Sequence, residues 1–253
     1  MRKAIDWLLT PLHFVVFMAV LLVFHVAQVF ARAFGYAAHK RVVDYLNLGV
    51  LASLKVVGAR IDLNCEHALA ADLPLIVVAN HQSMYDIPML GWMLRKHHPK
   101  FVAKIELARG VPSISYNLRH GGSVLIDRGD ARAAMRAIQK FGKTVEEHRY
   151  AACIFPEGTR ARDGVMKEFS HAGLLALIRT TPSAVIVPVA IDGSWELMRY
   201  RMRPIPFGVS VRCTVLAPII RGKIPVKDIP EVVEHRIQAA LEDPESNSVS
   251  HDA

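Results

Sequence analysis

The sequence predicts an α/β protein: a mixed, largely parallel sheet covered by helices, preceded by a membrane-associated helical hairpin. Three observations carry that expectation. From Leu73 onward, short branched apolar runs alternate with helix-like stretches. Those runs are apolar at successive positions rather than at every second one, which is the signature of strands buried on both faces. Upstream of them, Leu12 to Ala31 ("LHFVVFMAVLLVFHVAQVFA") contains no Asp, Glu, Lys or Arg.

That first run suits a membrane helix, since a bilayer core takes about 20 apolar residues. His13, His25 and Gln28 weaken a spanning reading. A cleaved signal is a poor fit: the run is long, lacks a small-x-small site and is followed at once by Arg32, Lys40 and Arg41. The next stretch, Arg41 to Leu63, is apolar with scattered Asp44, Asn47, Lys55 and Arg60, and reads as an amphipathic surface helix. The alternative for both is a helical hairpin packed on the domain.

Six strands are then expected, in "LPLIVVAN" (73–80), "KFVAK" (100–104), "GSVLID" (122–127), "AACIFPE" (151–157), "AVIVPVAID" (184–192) and "VSVRCTVLAPI" (209–219). Helices are expected in "DIPMLGWMLRK" (86–96), in 130–148 behind a capping Asp130, in "AGLLALIRT" (172–180) and in 228–243. The tail "PESNSVSHDA" is polar and aperiodic, an expected disordered end. The expected organisation is therefore anchoring helices over 1–63, a catalytic body over 64–243 and a tail over 244–253.

Composition narrows the partners. At 253 residues, with 52% hydrophobic residues and a mean hydropathy of +0.24, the chain suits one body with some membrane-facing surface. A formal charge of +8 favours an anionic partner, a phospholipid surface or a phosphorylated small molecule. Nucleic acid is disfavoured, because neither zinc-finger spacing nor an aromatic RNP-type strand is present. The clusters "RKHHPK" (95–100), "RYRMR" (199–203) and "RGKIPVK" (221–227) read equally well as solvated faces, and His97 and His98 as solvated surface. Cys65, Cys153 and Cys213, without CxxC spacing, read as reduced thiols, the last two in the core. No metal-ligand spacing is evident.

The chemistry concentrates after the first strand. "NHQSMYD" sets His81 and Asp86 on the loop and helix start that follow a buried strand, where α/β folds place ligand sites. A carboxylate on one ring nitrogen holds histidine in one tautomer and leaves the other nitrogen free to accept a proton. On its own such a pair is more often a capping Asp beside a surface His. Arg128 follows a strand in "GGSVLIDRGD", and Glu157 and Arg160 flank Gly158 in "FPEGTRARDG". Arg128 can meet a phosphate bidentately, or pair with Asp127 or Asp130; Glu157 can point into a cleft, or pair with Arg160.

Taken in order, "NHQSMYD", "GGSVLIDR", "FPEGTR" and "VPVAI" (187–191) resemble the four blocks of the glycerolipid acyltransferases, most of all bacterial 1-acylglycerol-3-phosphate acyltransferases. The resemblance covers about residues 73–195, and the hydrophobic N-terminus fits it. It implies His81 as catalytic base with Asp86 as its partner, in a block that includes Asn80. It implies phosphate binding at Arg128, and substrate binding at Glu157, Gly158, Thr159 and Arg160 of the third block and at Pro188 of the fourth. "AKIELARGVP" resembles the family's Lys-x-Glu-Leu segment and implies Lys104 near the anionic substrate. Leu125 and Ser115 depart from the pattern, standing where an aromatic residue and a glycine are common.

The implied reaction moves an acyl group from acyl-CoA or acyl-acyl-carrier protein, as co-substrate and without another cofactor, to the sn-2 hydroxyl of lysophosphatidic acid. The implied location is the cytoplasmic face of an inner membrane of anionic phospholipid. The sequence leaves the oxyanion donors open, with backbone N–H groups near the "HQS" turn as candidates. Rival readings are another acceptor (glycerol-3-phosphate, a different lysophospholipid or an amino-acid lyso-lipid), hydrolysis by the same dyad, and a non-catalytic protein that binds anionic lipid.

Overall fold

The computed structural model describes residues 2–65 and 67–243; the expected tail, 244–253, lies outside them. Two helices open the chain, α1 (Arg2–Ala33) and α2 (Tyr36–Ser53), joined at Phe34 and Gly35 and packed against each other. Gly49 allows the close approach: a Cβ there would stand 3.1 Å from Val20 Cγ1 and 3.3 Å from the Phe24 ring.

After a short 3₁₀ turn (Leu54–Val57) the body follows as β1 (Arg60–Cys65), β2 (Leu75–Ala79), α3 (Asp86–Met93), β3 (Pro99–Lys104) and α4 (Ile114–His120). It continues as β4 (Val124–Ile126), α5 (Ala131–His148), β5 (Ala151–Ile154), α6 (His171–Thr180), β6 (Val185–Asp192), β7 (Ser210–Val215) and α7 (Ile229–Glu242). The seven strands form one sheet in the order β1-β7-β6-β2-β5-β3-β4. Every neighbouring pair is parallel except β6 with β7. The mixed, largely parallel sheet is as expected.

Two-sided burial explains the unbroken apolar runs. In β2, Leu75, Val77 and Ala79 join the core beneath α1, α2 and α3, whereas Ile76 and Val78 join the core beneath α5, α6 and α7. Asp130 caps α5, its carboxylate accepting the Ala133 N–H at 2.8 Å.

Two expectations change. The stretch Arg41 to Leu63 is not one helix: α2 ends at Ser53, and Arg60–Cys65 pairs with β7 as an edge strand. The boundary expected between residues 63 and 64 therefore falls inside β1, and the body begins near Arg60. The hairpin is neither free nor buried. In α1, Thr10, His13, Phe17, Leu21 and Gln28 face the body, while Leu8, Leu12, Val15, Leu22, Val23, Val26 and Phe30 stay exposed. The polar residues that interrupted the apolar run mostly find partners inward. His13 bonds the Ser53 carbonyl and the Tyr85 hydroxyl, and His25 accepts the Ser113 N–H, while Thr10, just ahead of the run, accepts the Ile205 N–H.

Candidate active site

Because β2, β3, β4, β5 and β6 run parallel, their C-terminal ends share one edge of the sheet, and the residues singled out above leave from it. Asn80 and His81 follow β2, Lys104 ends β3, Arg128 follows β4, residues 155–160 follow β5 and Ser194 follows β6.

His81 Nδ1 lies 2.8 Å from Asp86 Oδ2. That oxygen also accepts the Gln82 and Ser83 N–H groups at 2.7 and 2.8 Å, and Oδ1 accepts the hydroxyls of Ser83 (3.1 Å) and Ser194 (2.6 Å). Asp86 is fully buried, and a polar group removed from water needs its oxygens met by donors, which this shell supplies. The bonded carboxylate makes Nδ1 the N–H bearing nitrogen, which leaves Nε2 as the acceptor. The imidazole lies flat on Phe155, with ring centroids 4.2 Å apart, and its orientation is thereby set from two sides.

The third block holds the same residue from behind. Glu157 Oε1 accepts the His81 N–H at 2.6 Å, Oε2 accepts the Lys167 N–H at 3.0 Å, and the His81 carbonyl accepts the Ala161 N–H at 2.7 Å. Burial pushes the Glu157 carboxyl above its ordinary range, with the two backbone donors opposing. Gly158 turns the loop at φ +70°, and a Cβ there would lie 3.8 Å from Arg128 Nη1, so the β5 loop and the arginine abut.

A cavity of about 910 Å³ opens beside the dyad, and His81, Lys104, Arg128, Gly158, Thr159 and Arg160 all line it. The ion pairs that offered bland alternatives do not form. Asp127 accepts the Gly129 N–H, Asp130 caps α5, and Glu157 is engaged with backbone rather than with Arg160. Partial burial draws Arg128 below its ordinary pKa, with Glu106 opposing. Arg160 reaches Met198 Sδ at 3.2 Å, and Lys167 Nζ steadies the loop through Thr159 Oγ1 and the Arg160 carbonyl, each at 3.0 Å.

Four expectations change here. Asn80 is fully buried, and its amide exchanges two 2.7 Å bonds with the Ile191 backbone, so it clips β2 to β6 instead of meeting substrate. Pro188 is buried in β6, opposite Val78, away from the cavity wall. Glu157 spends both oxygens on backbone and positions His81. The amides of His81, Gln82 and Ser83 are taken by Glu157 and Asp86, so the "HQS" turn has none of them free for an oxyanion. Sequence reasoning also passed over Phe155, inside a quoted block, and Ser194, whose partner lies 108 positions away.

Comparisons with known proteins bear on the family and the fold. The acyltransferase family model matches residues 60–192, which starts at β1 and ends with β6. Among curated proteins, the 1-acyl-sn-glycerol-3-phosphate acyltransferase of Limnanthes douglasii is 29% identical over 138 residues, covering 53% of this chain and 47% of its own. The 1-acyl-sn-glycerol-3-phosphate acyltransferase alpha of Ovis aries is 28% identical over 194 residues, 75% of this chain and 64% of its own. The chain thus spans about half to two thirds of the length of these relatives. The crystal structure of the 1-acyl-sn-glycerophosphate (LPA) acyltransferase PlsC from Thermotoga maritima superposes with a TM-score of 0.76 over 100% of this chain and 99% of that one, at 21% identity, a likeness of fold. With the matched model extending over half of its residues, the chain belongs to the acyltransferase family.

Proposed function

We propose that the protein transfers a fatty acyl group from an acyl thioester, acyl-CoA or acyl-acyl-carrier protein, to the sn-2 hydroxyl of 1-acylglycerol-3-phosphate, giving phosphatidic acid. The observation that carries this reading is the His81–Asp86 dyad opening onto a cavity whose wall also bears Lys104, Arg128 and Arg160.

In this reading His81 Nε2 takes the proton of the acceptor hydroxyl as its oxygen attacks the thioester carbonyl. The C–O bond forms, the tetrahedral intermediate collapses with cleavage of the C–S bond, and the imidazolium returns its proton to the thiolate. Asp86 accepts from Nδ1–H throughout and stabilises the transient cation. The acceptor is itself the nucleophile, so no acyl-enzyme is needed. Arg128, with Lys104 and Arg160, holds the phosphate and presents the hydroxyl, a positioning contribution. The exposed apolar face of α1 supports seating the body on an anionic bilayer, from which both long-chain substrates are drawn.

The test is a profile of acceptors and donors on membranes carrying the protein. Lysophosphatidic acid, glycerol-3-phosphate and lysophosphatidylcholine are each offered with oleoyl-CoA and with oleoyl-acyl-carrier protein. Product from lysophosphatidic acid alone supports the reading. Product from glycerol-3-phosphate or lysophosphatidylcholine at equal rate contradicts the acceptor assignment, and release of free oleate without acceptor points to hydrolysis.

A further inference from the structure

The same cavity has a second charged region that the proposed transfer does not use. Lys100 is the second residue of β3, four residues before Lys104 and about 13 Å away at the rise of a strand. It is only 5% exposed, yet it lines the cavity. Its ammonium stands 4.8 Å from the Tyr36 ring and 5.0 Å from the Tyr150 ring, and among the described residues no oxygen accepts from it. The stretch "RKHHPK" is therefore not simply a solvated face: His98, Tyr36 and Tyr150 pack in a mutual cluster with ring centroids 5.6–6.0 Å apart, and Tyr36 Oη lies 2.8 Å from His98 Nδ1.

Charge counting around Lys100 specifies what is missing. Lys40 is compensated by Asp44 at 2.6 Å. His39 and His98 also line this cavity, and burial, helped by nearby cations, lowers both from the ordinary histidine value, which favours the neutral imidazole. The N-terminus of α2, at Tyr36, has no side-chain cap and adds a partial positive charge. One positive charge remains without a counter-charge. A single monoanion balances it, whereas a phosphomonoester, near −2 at pH 7, overshoots. The cavity that holds both Lys100 and His81 is lined mostly by apolar side chains, among them Val43, Leu46, Val50, Phe101 and Leu118.

We propose that the Lys100 end of the cavity is a second anion subsite, separate from the Arg128 group, which takes the carboxylate of a free long-chain fatty acid with its tail laid along the apolar wall towards His81. Bound there, the acid occupies volume that an acyl substrate would need, so the protein would sense fatty acid released by ester or thioester hydrolysis. Two aromatic faces cover much of the ammonium and leave it few donor directions, which suits the two oxygens of a carboxylate.

The test measures binding without turnover, so its failure is independent of the acyl-transfer reading. Full-length protein in detergent micelles is titrated with oleate and with oleyl alcohol by displacement of a fluorescent fatty acid, each corrected against protein-free micelles. Oleate should bind at least about tenfold more tightly than the alcohol. Lys100→Met should abolish that preference, Lys100→Arg should retain it, and Arg128→Gln should leave it in place. Equal affinity for acid and alcohol in the intact protein overturns the proposal without reliance on any variant. So does a preference that survives Lys100→Met or disappears with Arg128→Gln. Tighter Lys100-dependent binding of oleoyl-lysophosphatidylglycerol, a phosphodiester monoanion, would overturn the carboxylate assignment.

Discussion

At the scale of single residues, Asp86 is the most constrained group in the site, accepting from one imidazole, two amides and two hydroxyls. Asp86→Asn presents an amide to these donors and frees the imidazole to take the wrong tautomer. We expect kcat to fall by about 10²–10⁴ with little change in KM for the acceptor, measured by steady-state transfer. Ser194→Ala removes the 2.6 Å bond to Oδ1 and a longer 3.5 Å one to Gln82 Oε1, and should cost about 1–2 kcal/mol of stability in a urea titration. Lys100 gives a prediction with a definite sign. Burial, with Lys40 nearby, lowers its pKa to about 8. The unfolded chain then binds more protons between pH 8 and the ordinary lysine value near 10.4, and stability rises with pH where that holds. The intact protein should therefore gain stability relative to Lys100→Met as pH rises from 8 to 10, with a ceiling of about 3 kcal/mol, read as the difference between their Tm values. A constant difference would contradict the burial of a charged ammonium.

At the scale of elements, the strands that position the site were legible because each is locally apolar and bounded by turn residues. The one strand missed, β1, alternates Arg60, Asp62 and Asn64 with Ile61 and Leu63, the pattern of a half-exposed edge. Beside an apolar helix those charges read as one amphipathic surface, and only pairing with β7, far along the chain, decides for a strand. Helix α4 was missed because it is a single short element, entered through Ser113 at φ +61°. Ser115 explains its own departure from the family pattern, its hydroxyl bonding the Leu107 carbonyl and the Val111 N–H across that loop. Catalytic geometry is legible where partners lie within a block, as for His81 with Asp86. It is not where sequence-distant backbone is the partner, as for Asn80 with Ile191. Gly193 shows how an element end serves the site. It turns the chain out of β6 at φ +76°, and a Cβ there would stand 2.2 Å from the Ser210 carbonyl oxygen. Gly193→Ala should displace Ser194 and cost at least about 2 kcal/mol, visible as a lowered urea midpoint alongside reduced activity.

At the scale of the whole molecule, one parallel sheet edge collects the His81–Asp86 pair and three cations beside one cavity, while α1 turns an apolar face outward. The inward polar residues of α1 explain why its sequence was ambiguous: a helix that packs on a body along one side and presents apolar surface on the other reads as neither a clean span nor a core helix. If the cations hold a phosphate, Arg128→Ala should raise KM for lysophosphatidic acid about 10–100-fold and leave a phosphate-free acceptor unaffected. The central claim is that His81 is the base of an acyl transfer, and the most direct measurement compares phosphatidic acid formation from oleoyl-CoA and lysophosphatidic acid by intact protein and by His81→Ala in membranes matched for protein content. The account predicts loss of activity by at least about 10² with membrane association unchanged; a variant that keeps more than a small fraction of wild-type turnover would contradict it.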